Sequence, residues 1–130
     1  MSQPAAKQGD QIIATDTHIM LVPSPGGEVP TPMSFPFNGI LTGQLSPNVN
    51  IMGQPAAVVG STGVNTPPHA PQGGRFQRLP GNQGRIIQGS PTVFINGKPA
   101  ARNGDTAMTC NDPADLPVGK VVAAGNVFIG

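Results

Sequence analysis

Tryptophan and tyrosine are absent from this chain, cysteine occurs once, and only 10% of the residues are charged. Each shortage excludes something. A lone cysteine, Cys110, forms no intramolecular disulfide, so packing or metal must hold the chain together. With neither Trp nor Tyr to stack on bases and a net charge of only +1, nucleic acid finds little footing, and no nucleic-acid partner is expected. No stretch approaches the roughly 20 apolar residues that span a bilayer. Residues 1–10 lack the apolar run of a signal peptide, so synthesis in the cytoplasm without the general secretion route is expected.

What the chain does have is glycine and proline, 18 and 16 of its 130 residues. Such a share, about a quarter, often accompanies disorder. Disordered chains, however, combine low hydrophobicity with high net charge, and here the charge is near zero and apolar residues cluster in short runs. Order with many turns is therefore expected. Proline recurs too often for helices, since each interior one costs about 3 kcal/mol. The expected fold is all-β, a single domain over residues 1–130 with no substantial helix.

Internal repetition is the strongest signal. Residues 39–57 and 84–101 share a frame: a glycine and apolar residues, then Ser-Pro-x-Val-x-Ile-x-Gly-x-Pro-Ala-Ala, spaced alike from Ser46 to Ala57 and from Ser90 to Ala101. A third copy opens at Gly119 and stops at Gly130, and residues 1–6, ending Pro4-Ala5-Ala6, supply its missing end. Three units cut open inside one of them predict that the two chain ends meet in space. Val49 and Ile51, Val93 and Ile95, and Val127 and Ile129 alternate with their neighbours, the period of a half-buried strand. Strands are expected over 48–52, 92–96 and 126–129, arranged about one axis as a small three-sided β-prism of pseudo-symmetric repeats. The proline-rich stretch 19–38 and the stretch 70–83 are read as ordered, stiffened loops.

Counting from the proline of each Pro-Ala-Ala, His18 and His69 both fall fourteen residues on, and Cys110 falls eleven on. Every histidine and the only cysteine thus sit at related places in the repeat. A pseudo-threefold axis would bring them together, and two imidazoles with a thiolate suit Zn²⁺. A closed structural site needs a fourth ligand. Asp16, Asp112 and water are candidates, although a carboxylate two residues from a ligand is more often a turn or cap residue.

These residues identify a resemblance. The chain resembles the PAAR-repeat proteins, whose motif stands here as Pro99-Ala100-Ala101-Arg102, nearly so as Pro4-Ala5-Ala6-Lys7, and altered as Pro55-Ala56-Ala57-Val58. Residues 89–98 and Asn103-Gly104-Asp105 are similar to that family as well, and residues 19–38 with Thr66-Pro67-Pro68-His69 look like members from phage-tail-like extracellular injection particles, with type VI secretion members as relatives. The resemblance implies a cone with zinc near its apex, held here by His18, His69 and Cys110. Family sites commonly add a third histidine, in similar members near the place that Phe35 occupies here. It further implies a non-enzymatic tip protein. One copy would cap a trimeric, VgrG-like spike of a contractile injection system, continue its sheets by β-augmentation, and touch the target membrane transiently. Any effector is expected to bind in trans, and the particle to act outside the producing cell.

Two other classes compete. A zinc-dependent hydrolase would use three protein ligands and a water, but the sole glutamate, Glu28, lies among prolines and glycines, and no nucleophile and base share a recognisable context. An effector-carrying adaptor on the spike would use the loop at 19–38 to recruit cargo.

Overall fold

The computed structural model describes residues 2–130; Met1, counted above in the completion of the third copy, lies outside the described residues. No helix occurs among the described residues. The strands are β1 (Gln3–Pro4), β2 (Gln11–Ser24), β3 (Gly27–Gly43), β4 (Asn50–Ile51), β5 (Gln54–Pro55), β6 (Thr62–Asn65), β7 (Arg75–Phe76), β8 (Gln83–Ile86), β9 (Phe94–Ile95), β10 (Lys98–Pro99), β11 (Thr106–Thr109), β12 (Leu116–Val122) and β13 (Phe128–Ile129).

Two structures share one pseudo-threefold axis. In the first, antiparallel neighbours run β12-β11-β8-β6-β3-β2, and β12 pairs back onto β2, which closes the sheet on itself. In the second, three short ribbons repeat one register: Ile51 faces Gln54, Ile95 faces Lys98, and Ile129 faces Gln3. The third ribbon therefore joins the two ends of the chain. The first two turn at Met52-Gly53 and Asn96-Gly97, where both residues of each pair have positive φ (50° and 81°, 53° and 78°), the backbone of a type I′ hairpin.

The repeated Pro-Ala-Ala forms the hub. Ala6 N–H donates to Ala101 O, Ala101 N–H to Ala57 O and Ala57 N–H to Ala6 O, each at 3.0 Å. This cyclic triangle is fully buried, so a methyl group is all that fits where the three units meet. On one side lie Ile51, Ile95, Ile129, Ala5, Ala56 and Ala100; on the other, Ile12, Phe37, Leu41, Ile86 and Val121 fill the closed sheet. The glycines that open each frame follow from that filling. A Cβ on Gly39, Gly84 or Gly119 would come within 2.8–3.2 Å of the Phe37 or Ile12 side chain or of neighbouring backbone.

Three expectations need correction. The ribbon strands span two residues each, not the four or five expected over 48–52, 92–96 and 126–129. The Ser46 and Ser90 hydroxyls accept the N–H groups of Val49 and Val93 at 2.9 Å, which closes a side-chain turn where the ladder would have continued. The stretch 19–38 is not a loop. It is most of a long hairpin in which β2 and β3 pair without a break from Gln11↔Ile40 to Ser24↔Gly27. Prolines fit because they are spaced in twos: Pro30, Pro32 and Pro36 pair with Leu21, Ile19 and Thr15. At this register N–H groups point out of the hairpin, as those of Thr17 and Ile19 do toward Asn111 and Asp112. A missing donor there breaks no bond between β2 and β3. The stretch 70–83, also expected as loop, contributes β7 to the edge of β2.

Candidate metal centre

Alternate residues of β2 point inward, and Asp16, His18 and Met20 are each completely buried. His69 arrives on the Thr66-Pro67-Pro68 segment after β6, its backbone N–H held by Asn82 Oδ1 at 2.9 Å and its side chain buried. Cys110, also buried, follows β11, whose register against β12 shifts between Ala107 and Thr109. A shift of this kind re-aims the side chains beyond it. The three sequence-predicted residues thus converge, and Asp16 joins them: one donor atom from each of Asp16, His18, His69 and Cys110 lies within 4.8 Å of all the others.

Asp16 organises the cluster. Its Oδ1 accepts from the Thr109 hydroxyl at 2.5 Å and from Asn111 Nδ2 at 3.4 Å. Its Oδ2 meets His69 Nε2 at 2.8 Å and the Cys110 thiol at 3.4 Å. Asn65 lies against the His69 ring: its Oδ1 takes the N–H of Asn38, and its Nδ2 lies 3.2 Å from His69 Nδ1. Asp112 is engaged elsewhere, accepting from Ile19 N–H at 2.8 Å and Arg78 Nε at 3.1 Å. The fourth-ligand candidates therefore separate: Asp16 lies in the cluster, and Asp112 ties a turn, the role expected of both.

His18 carries the test of whether a metal fits. Its ring lies among Phe35, His69 and Phe76, with centroids 5.7, 5.1 and 6.0 Å away, and both ring nitrogens are buried with no hydrogen-bond partner. Asp112 Oδ2 is 3.6 Å from Nδ1, beyond bonding distance. Buried polar nitrogens are nearly always satisfied, and a cation amid these donors would satisfy His18 while neutralising the buried Asp16 carboxylate. The residues fit a metal ion. Burial, opposed by the nearby Asp112 charge, lowers the His18 pKa, and burial together with the Asp16 charge pushes the Cys110 thiol up to about 11. A shallow groove of about 340 Å³ runs beside the cluster under Pro67, Pro68 and Pro71, and of the four residues only His69 lines it.

A family model described as PAAR motif matches residues 21–114 and again 78–130. The chain belongs to the PAAR motif family. Comparison with curated proteins gives no match, and comparison with solved structures gives none. Membership points to the spikes of contractile injection systems and to a structural role at their tips. The PAAR motif's fourth position also acquires a physical meaning. Arg102 and Lys7 each pair with an acid three residues on, Asp105 and Asp10, whereas Val58 stands with Ser61, a hydroxyl in place of the carboxylate. Charge at this position comes and goes as a pair.

The sequence offers Asp16 and Asp112 alike as candidates for the fourth ligand, each two residues from a proposed one, and no strand is expected there to separate them. On a strand, residues 16 and 18 share a face, and that parity was the available signal. Nothing in the sequence marked Thr109, Asn111 or Asn65.

Proposed function

We propose that this chain caps the trimeric spike of a contractile injection system, one copy per trimer, and stiffens the point that enters the target envelope. The observation that carries the reading is the cyclic Ala6–Ala101–Ala57 triangle with its three matched ribbons, by which a single polypeptide presents threefold symmetry to a three-chain partner. The ribbons leave Met52, Phe94 and Phe128 more than half exposed, apolar surface of the kind that a partner covers. Zn²⁺ is the ion we assign to the cluster, through His18, His69 and Cys110. The donor set of imidazoles, a thiolate and a carboxylate favours it over harder cations. Bound zinc supplies a cross-link among β2, the His69 segment and the end of β11, with Cys110 joining it to the core cluster that holds Ala6, Ala57 and Ala101. The chain acts without catalysis, is made in the cytoplasm and is delivered in the assembled particle. Co-expression with a trimeric VgrG-like spike followed by native mass spectrometry tests the reading: one chain and one zinc per trimer are expected, and three chains per trimer, or no complex, would refute it.

A further inference from the structure

We infer that Asp16 is the fourth protein ligand of the metal, so that the centre is closed by Asp16, His18, His69 and Cys110 and has no position for water. This rests on the zinc reading above and adds to it the state of the site.

Three observations lead there. Asp16 divides its oxygens: Thr109 and Asn111 hold Oδ1, and Oδ2 is aimed at Cys110 Sγ and His69 Nε2. One oxygen fixed by an outer hydroxyl and amide, with the other turned into the donor cluster, is how a ligating carboxylate is oriented. Charge agrees. A divalent ion with a thiolate and a carboxylate is neutral, whereas two imidazoles and a thiolate alone leave one positive charge in a place where the four side chains are at most 4% exposed. Burying net charge is expensive, and a neutral set avoids it. The other oxygen candidates are absent: Asp112 is held by Ile19 and Arg78, and Phe35 walls the site 5.7 Å from His18 and 5.3 Å from His69. Phe35 is also the cross-strand partner of Asp16, so the two side chains lie side by side on one face, one closing the site chemically and the other sterically.

The test uses the full chain loaded with zinc or cobalt(II), in wild type and in the variants D16N and D16C. D16N keeps an acceptor for Thr109 but loses the anionic oxygen; D16C offers a second thiolate. Wild type is expected to bind one ion with four protein donors by zinc-edge X-ray absorption and to give the intense visible bands of four-coordinate cobalt. In D16N, affinity measured against a competing chelator should fall about 100-fold, with a water entering the shell, and D16C should restore it to within about tenfold. Unchanged affinity and spectrum in D16N would overturn the inference and leave His18, His69 and Cys110 as ligands. A D16C chain that folds but does not recover affinity would overturn it as well. If wild type takes up no zinc, the metal reading itself fails, and this inference with it.

Discussion

Arg102 donates its backbone N–H to Asp105 Oδ2 at 2.7 Å while its guanidinium reaches Asp105 Oδ1 at 2.8 Å, so one carboxylate closes the turn and holds the side chain that closes it. The same turn is built by Lys7 with Asp10 and, through a hydroxyl alone, by Val58 with Ser61 at 3.0 Å. Asp105 is buried, so D105A leaves a backbone donor unpaired and should cost about 2–3 kcal/mol. D105S copies the second unit, keeps the backbone bond and should recover about half of that loss. Urea midpoints of the three proteins measure the difference. Equal loss in D105A and D105S would mean that the ion pair, not the cap, sets the energy.

The alanine triangle is where the backbones of the three units bond directly to one another. Ala57 is wholly buried and its N–H and C=O both belong to the ring, so A57L must push three backbones apart. Overpacking of this kind costs about 1–3 kcal/mol or more, and a distorted hub should also weaken capture of the spike. I13T, at a site 43% exposed, should change stability by no more than about 0.5 kcal/mol. Thermal melts paired with spike pull-down read both effects.

Much of this was legible in the sequence, and the reason is repetition. A frame seen twice and then split across the termini fixes a symmetry, and symmetry places Ala6, Ala57 and Ala101 together without any knowledge of their contacts. It places His18 and His69 at matched positions too, fourteen residues after their prolines. What repetition does not carry is what differs between the units. The hairpin of β2 and β3 has no counterpart of its length in the other two units, so nothing in the frame announced it, and its prolines argued against strand. With no strand read across residues 11–24, Asp16 stood level with Asp112 as a fourth-ligand candidate, since its parity with His18 exists only on a strand. Cys110 escaped that ambiguity because a lone cysteine is conspicuous on its own.

Two buried groups set the pH range of the metal-free protein. Burial lowers the His18 pKa below its ordinary 6.5, so below that value the unfolded chain binds a proton that the folded one resists. Stability is then lost as pH falls from 6.5 through the lowered folded value. Cys110 behaves oppositely: its pKa rises from 9.0 to about 11, so its contribution is complete below pH 9 and is lost as pH climbs toward 11. Melting of chelator-treated protein should therefore show a plateau between about pH 6.5 and 9 with a fall on either side. H18F should flatten the acid limb, and an acid limb of unchanged slope in that variant would assign the effect to other groups. The same thiol should alkylate far more slowly than a free cysteine at neutral pH, since little of it is thiolate and it is buried.

The prolines of β3 have a consequence for assembly. Past its pairing with β6, which covers Gly39 to Gly43, β3 is an outer strand, and at Pro30, Pro32 and Pro36 the outward position carries no N–H. An exposed strand of this length would ordinarily template pairing with another chain. Here a neighbouring strand would find donors missing at successive outward positions, and Ser34 alone between Pro32 and Pro36 to bond. The double variant P30T/P32T keeps the β2–β3 register, because neither residue donates within the hairpin, and restores two outward donors. Its monomer should remain folded but form dimers and larger species at concentrations where wild type stays monomeric, as read by sedimentation velocity. If the variant stays monomeric across the same range, the prolines serve only the stiffness of the hairpin and not the protection of its edge.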